Sequence, residues 1–440
     1  MKKVFVLTTI MIMVLFMALT GCSSSSKSSS SNDGGKTFTY WYPWGGDSEK
    51  WDKWRMGVFE KDHPGYKINS VYVPPDGGIS NGKLMAAITG NNPPDVVVSN
   101  DYASAYALAT QGALMPLDDL LKKADLDESS IIDTFKPLMK YKGKTYLFPE
   151  DSNVNLLYIN KKLFKDAGLD PSKPPKTIAE LDADAEKLSK VEGNGKIDKL
   201  GFIPWLDAGD DAFLWGWIFG ANYFDTKTGK VEINNSQLDD MYKWEDSYAK
   251  KYNPEKIKSF TSGFGGAFSP NHPFFTGKVA MTVNGNWFSN AIKQYAPDID
   301  YEVVPIPSPP NGREKATTFG TNVFMIPKNA KNPEAALKFI LFGSQPKILA
   351  DNINTWRSIS IYKKSSAAIK WNRNGDAIYK VVKEVAESPN SGHPALTSVA
   401  NEMSNDLNLL RDKVIYNDKD PGPLLKELQK KLQAEVDKKK

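Results

Sequence analysis

The chain has one cysteine in 440 residues, three histidines, and no Lys/Arg block beside a base-reading motif. Each shortage closes off some chemistry. His63, His272 and His393 each stand directly before a proline, and neither H-E-x-x-H nor G-x-S-x-G occurs, so the common zinc and serine hydrolase signatures are missing. Gly143-Lys144-Thr145 imitates the end of a phosphate loop, but Leu138 stands where that loop needs glycine; a hairpin turn is the simpler reading. Glu192–Asp198 resembles a calcium loop only faintly. Glu at its first position and Lys at its fifth suit a turn before a strand better. The net charge of +4 is not concentrated, and no nucleic-acid partner is expected. Lys438–Lys440 reads as a solvated tail, with contact to an anionic surface as the lesser alternative. No metal and no cofactor are expected.

What is present begins at the N-terminus. Lys2 and Lys3 precede an apolar stretch from Val4 to Leu19, then Leu19-Thr20-Gly21-Cys22 and a serine-rich run to Ser31. The stretch, roughly 16 residues, falls short of the ~20 that a spanning helix wants, although an uncleaved anchor is the competing reading. Leu-Thr-Gly-Cys resembles a bacterial lipobox. That resemblance implies a signal peptide over 1–21, lipidation of Cys22, a flexible tether over 22–36, and a protein held at the extracellular face of the cell membrane by lipid. With Cys22 taken up by lipid, the mature chain holds no thiol; disulfides, thiolate nucleophiles and Cys-ligated zinc fall away together. About 400 residues then remain, enough for two domains with separate cores.

Along the mature chain, Thr37–Tyr42 is a β-prone run broken by Pro43-Trp44-Gly45-Gly46-Asp47. Trp51, Trp54 and Val58 fall on one face of a predicted helix, and Lys67–Val73 reads as a strand. Lys83–Thr89 reads as helix and Asp95–Val98 as a buried strand without alternation, so this region predicts a right-handed α/β unit with parallel pairing. Leu156–Ile159, Val279–Val283 and Val323–Ile326 predict further strands, and Thr177-Ile178-Ala179-Glu180 is a capping box. Asp211–Ala221, apolar on nearly every face, predicts a buried helix. Asn332-Pro333 offers an N-cap and first-turn proline for a helix with Ala336, Phe339 and Ile340 inward. Leu424, Leu425, Leu428 and Leu432 mark a last amphipathic helix.

These segments resemble, in order, the extracellular solute-binding proteins of carbohydrate ABC importers. Leu84–Gly90 followed by Pro94-Asp95-Val96-Val97 is similar to that family's helix-to-"PDV" strand. Gly112–Leu117 is similar to its "G-x-L-x-P-L" stretch, Tyr158–Leu169 to "YN-x-x-L-F-x-x-A-G-L", Pro175-Lys176-Thr177 to "P-x-T", and Phe275–Met281 to "F-x-x-G-K-x-A-M". Residue 159 is Ile where the family often has a second Tyr, so Tyr158 receives no ligand role. The resemblance implies an α/β, two-lobed, periplasmic-binding-protein-like (type II) fold with a hinge and an interlobe ligand cleft. The expected division is 37–147 plus 285–345 for lobe one and 148–284 plus 346–440 for lobe two. The implied partners are a carbohydrate and the ABC permease subunits in the membrane, with the receptor a monomer.

Sugars present apolar C–H faces and hydroxyl rims, so a sugar site needs flat aromatic plates with Asp, Glu, Asn or Arg in the ring plane. Eleven Trp and 18 Tyr exceed what core packing asks for. Trp44 sits in a Pro/Gly-rich loop after the first strand; Asn100 and Asp101 follow a strand, where hydroxyl binding and helix capping compete. Glu150 and Asp151 follow Pro149, in a cleft or in a loop ion pair. Trp205 opens a loop holding Asp207. Trp215 lies in the apolar helix, where core packing competes. Trp287 follows a strand, Asn322 precedes one, and Trp356-Arg357 is a further pair. Trp41, Trp51, Trp54 and Trp244 read as core or surface residues. These positions make up the expected ligand site; no catalytic set is expected. The rival reading is a cell-surface glycoside hydrolase, which would need a carboxylate pair such as Glu150 with Asp207. A non-transport carbohydrate-binding or adhesion lipoprotein is the third.

Overall fold

The computed structural model describes residues 37–45, 49–74, 82–124, 128–363, 375–393 and 396–439. Residues 1–36, with the expected signal, tether and Cys22, lie outside the described residues. Strand β1 (Thr37–Tyr42), helix α1 (Glu49–Asp62), β2 (Lys67–Tyr72) and β3 (Val96–Ser99) open the chain, and β1 lies between β2 and β3, parallel to both. Then come β4 (Leu147–Asn153), β5 (Asn155–Asn160), β6 (Met281–Gly285), β7 (Tyr301–Val304), β8 (Gly320–Met325) and β9 (Ile359–Ser360). One sheet has the order β9-β4-β8-β3-β1-β2, with β8 antiparallel to both β3 and β4. A second, antiparallel sheet has β5 between β6 and β7.

Period-two alternation decides which core each strand feeds. On β1, Phe38 and Tyr40 turn inward onto Phe59 (5.9 Å between ring centroids) and Phe339 (5.1 Å), while Trp41 faces the other way, half-buried under the Lys83 ammonium. On β5, Leu157 and Ile159 join a core with Met281, Trp215, Met241, Leu407 and Leu432; Leu156 and Tyr158 point to the opposite face and the first core. The result is two lobes with separate cores.

The chain passes between the lobes at Val154, within 305–319 and within 387–398, and these crossings are tied to one another. Val154 N–H donates to the buried Asn286 Oδ1 (2.8 Å), Asn155 N–H to Thr317 Oγ1 (2.9 Å), and Gly392 N–H to the Thr317 carbonyl (3.0 Å). That cluster ties the crossing segments together. The pairing departs from the expected lobe limits. Residues 148–153 and 359–360 lie in the six-stranded sheet, past the expected cuts at 147 and 345, and Tyr301–Val304 pairs with β5 inside a stretch expected for lobe one. Long-range strand pairing, which local pattern does not encode, sets these limits.

Local expectations also need correction in places. The inward face of α1 is Asp52, Arg55, Met56 and Phe59, and Trp54 is exposed. The Asp211–Ala221 helix shrinks to Leu214–Ile218, followed by Gly220 at φ 100°, a conformation that ends helices. Asn332 does not cap with its side chain. The Asp95 carboxylate, which also accepts Thr39 N–H (2.8 Å), instead accepts the Asn332 N–H (2.7 Å) at the start of Pro333–Gly343. The Thr177–Glu180 capping box is present in both directions.

Candidate functional site

The parallel strands of the six-stranded sheet end on one edge, and antiparallel β8 and β9 begin there. That edge therefore gathers the loop after Tyr42, Asn100 after β3, the end of β4, Gly320 and Asn322 on β8, and Trp356 before β9. Crevices at the carboxyl ends of strands are the usual ligand sites of open α/β sheets. Facing it are Asn155 at the start of β5 and Trp287 just past the end of β6.

Between them lies a cleft of ≈ 400 Å³ lined by five aromatic side chains, Trp44, Trp51, Phe268, Trp287 and Trp356. Its polar lining comes from Asp52, Asn100, Glu150, Asp151, Asn153, Asn155, Asn322 and Asn352. Phe268, 48% exposed, stacks on Trp287 with centroids 5.2 Å apart and planes 19° apart, so the wall facing the strand ends offers a broad apolar plate. Only glycine fits at 285, because a Cβ there would run into the folded-back Trp287 indole.

The cleft floor is charged and deeply buried. Arg55, 1% exposed, holds Glu150 with one terminal nitrogen and Asp52 with the other; the latter also donates to Tyr40 Oη (2.6 Å), which donates in turn to Asp52 Oδ1 (2.7 Å). The guanidinium rests against the faces of Phe324 (5.1 Å) and Phe339 (5.2 Å). Asp151 accepts from Asn322 Nδ2 at 2.6 Å. Burial pushes the Glu150 carboxyl up to about 8 against the pull of Arg55, and Asp151 up to about 6 against its hydrogen bonds.

Of the residues expected at a ligand site, the cleft brings together Trp44, Asn100, Glu150, Asp151, Trp287, Asn322 and Trp356. Five are not in its lining. Asp101 caps the helix Tyr102–Thr110 by accepting Ser104 N–H (3.1 Å), so capping wins there. Asp207 is tied to His272 Nε2 (3.0 Å) and the Thr282 hydroxyl (2.6 Å). Trp205 packs on lobe-two cores, and Trp215 is buried with Nε1 donating to the Pro204 carbonyl (2.8 Å). Arg357 terminates the helix Pro346–Trp356 in a left-handed conformation (φ 57°), and its side chain bonds Tyr301. Sequence reasoning missed Trp51, Asp52, Asn153, Asn155, Phe268 and Asn352 as cleft residues. Trp51 and Asp52 open a helix that follows a strand end, a positional signal that the i, i+3, i+7 pattern obscured. Among the described residues no cluster of His, Cys, Asp and Glu suits a metal ion.

Comparison with known proteins converges on one family. A family model described as bacterial extracellular solute-binding protein matches residues 33–348. An uncharacterised ABC transporter extracellular-binding protein of Pyrococcus horikoshii is 26% identical over 311 residues, covering 69% of this chain. A maltooligosaccharide ABC transporter solute-binding lipoprotein of Streptococcus pneumoniae is 29% identical over 287 residues, covering 62% of this chain. The chain spans 66% and 61% of the lengths of these two relatives, just under two thirds of each. Among solved structures, CpMnBP1 with mannotriose bound is 36% identical, with a TM-score of 0.82 over 89% of this chain and 98% of that one. The same protein has also been solved with mannobiose bound.

Proposed function

Because the chain belongs to the bacterial extracellular solute-binding protein family, we propose that it captures an oligosaccharide in the cleft at the hinge and presents it to the permease of an ABC importer. The carrying observation is the composition of the cleft: five aromatic faces opposed across ≈ 400 Å³, with carboxylates and amides between them. Aromatic planes take the C–H faces of sugar rings, and the carboxylates and amides take the hydroxyls. Hydrogen bonds to charged groups, worth about 1.5–3 kcal/mol each, together with stacking reach the ~8 kcal/mol of micromolar affinity. The mannotriose complex of a 36% identical protein points the same way.

No turnover belongs to this reading. One carboxylate pair that would suit the hydrolase alternative, Glu150 with Asp207, is split, since Glu150 faces the cleft on Arg55 while Asp207 is engaged by His272 and Thr282 outside the lining. The lobes are assigned by their cores. Lobe one takes the six-stranded sheet with the helices Pro333–Gly343 and Pro346–Trp356; lobe two takes the face of the three-stranded sheet that meets the C-terminal helices Ala400–Asn417 and Pro421–Lys438. The receptor acts as a monomer tethered outside the cell through lipid on Cys22, which the lipobox-like Leu19–Cys22 and a lipoprotein relative support. Palmitate labelling that persists in Cys22→Ser would refute the tether.

The central test is calorimetry with mannotriose and maltotriose. Trp44→Ala and Trp287→Ala should each weaken the better ligand at least tenfold, and intact affinity in both variants would sink the cleft assignment. Product release on incubation with either sugar would turn the reading to the hydrolase.

A further inference from the structure

Charge of one sign lines the cleft. Among the described residues its ionisable side chains are Asp52, Glu150 and Asp151, all more than nine-tenths buried, and no lysine, arginine or histidine joins them. Arg55 stands behind them, too deeply buried to meet a ligand, with its terminal nitrogens committed to Asp52, Glu150 and Tyr40. Asp52 Oδ2 has no hydrogen-bond partner among the described residues, so part of this negative charge stays uncompensated. Three carboxylates against one guanidinium leave a net −2 when all are ionised, and −1 with Glu150 protonated.

We propose that this floor selects by charge, admitting neutral oligosaccharides and rejecting uronates of the same linkage and ring stereochemistry. The inference rests on the sugar-binding reading and names the substrate class within it. A uronate replaces a C6 hydroxymethyl with a carboxylate, and sites built for carboxylates supply a planar arginine fork or a lysine. Here the anion would meet a floor of net negative charge with no cationic side chain in the lining, where like charges repel. The ring hydroxyls of a neutral sugar donate to those same carboxylates without penalty. The raised pKa of Glu150 agrees with a floor that already holds more negative charge than it can comfortably ionise.

The test is calorimetry at pH 7.5 on the mature chain with matched pairs: β-1,4-mannotriose against β-1,4-trimannuronate, and α-1,4-galactotriose against α-1,4-trigalacturonate. The expected result is measurable binding of a neutral trisaccharide, with its uronate counterpart weaker by at least ~100-fold, two decades in Kd. A uronate bound within tenfold of the neutral sugar overturns the charge selection while leaving the sugar receptor standing. Failure of every saccharide in the panel overturns the receptor reading, and this one with it. Asp151→Asn and Glu150→Gln separate charge from shape: each should narrow the neutral-to-uronate gap, and an unchanged gap in both well-folded variants would overturn the role of the carboxylates.

Discussion

Among the described residues, two arginines deep in the fold hold carboxylates, one in each lobe, and they have different surroundings. In lobe one, Arg55 binds Asp52 and Glu150 with Tyr40 closing the ring, and that group floors a cleft of ≈ 400 Å³. In lobe two, Arg411 binds Asp210 and faces Glu245, whose Oε2 has no hydrogen-bond partner among the described residues. Trp215, Met241 and Tyr242 close over the second group, leaving ≈ 10 Å³, about the space of one water. The charge chemistry is alike. Position at the strand ends gives the first cluster access to a ligand, and burial among helices denies it to the second.

The largest expected effect is on stability. Arg55→Met strands two buried carboxylates and should cost about 3–5 kcal/mol in denaturant unfolding. Arg411→Met should cost less, about 1–2 kcal/mol, because the Asp210 side chain is 59% exposed and water takes over its solvation. A larger loss at 411 would break the contrast. Next comes affinity. Glu150→Gln should weaken the best neutral sugar by about 10–100-fold, the worth of a charged hydrogen bond, while Glu245→Gln should leave Kd within about twofold.

Protonation sharpens the comparison further. Burial raises both Glu150 and Glu245 to about 8. An acid whose folded pKa lies above its unfolded value holds more protons when folded, so its stabilisation is full below about 4.5 and is lost as pH rises through about 8. Thermal unfolding followed from pH 5 to pH 9 should show Tm falling from pH 5 to about 8 and levelling above it. Glu245→Gln should flatten that fall with no change in sugar binding; an unchanged slope would show that Glu245 does not titrate there. The smallest contrast lies within one helix. Trp51, in the cleft lining, should lose severalfold affinity on change to Ala, about 1 kcal/mol, whereas Trp54, stacked on it at 4.5 Å but 39% exposed and outside the lining, should lose almost none by the same calorimetry.

Much of the fold could be read from local pattern. Thr37–Tyr42, Lys67–Tyr72 and Val96–Ser99 form strands where β-branched and aromatic runs lie between turn residues, and the Thr177 capping box starts its helix. The candidate site was legible where a residue follows a strand at the cleft edge, as Trp44, Asn100 and Trp287 do, while Asn322, expected before a strand, lies within one. It was illegible where the partner is distant in sequence. Asp207 finds His272 and Thr282 some seventy residues on, and Asp52 with Arg55 turns inward only because Glu150 waits there. Apolar periodicity ranks such a face as solvent-facing, since it counts a charge as a cost and cannot see the countercharge.

Ordered motifs, composition and short-range periodicity already carry the family, the α/β class and the aromatic wealth that suits a sugar cleft. Long-range packing set which tryptophans face the cleft and gave its floor one sign of charge. Those properties come from strands paired across more than a hundred residues and from burial that removes water from Asp52, Glu150 and Asp151, and no local stretch of chain contains either.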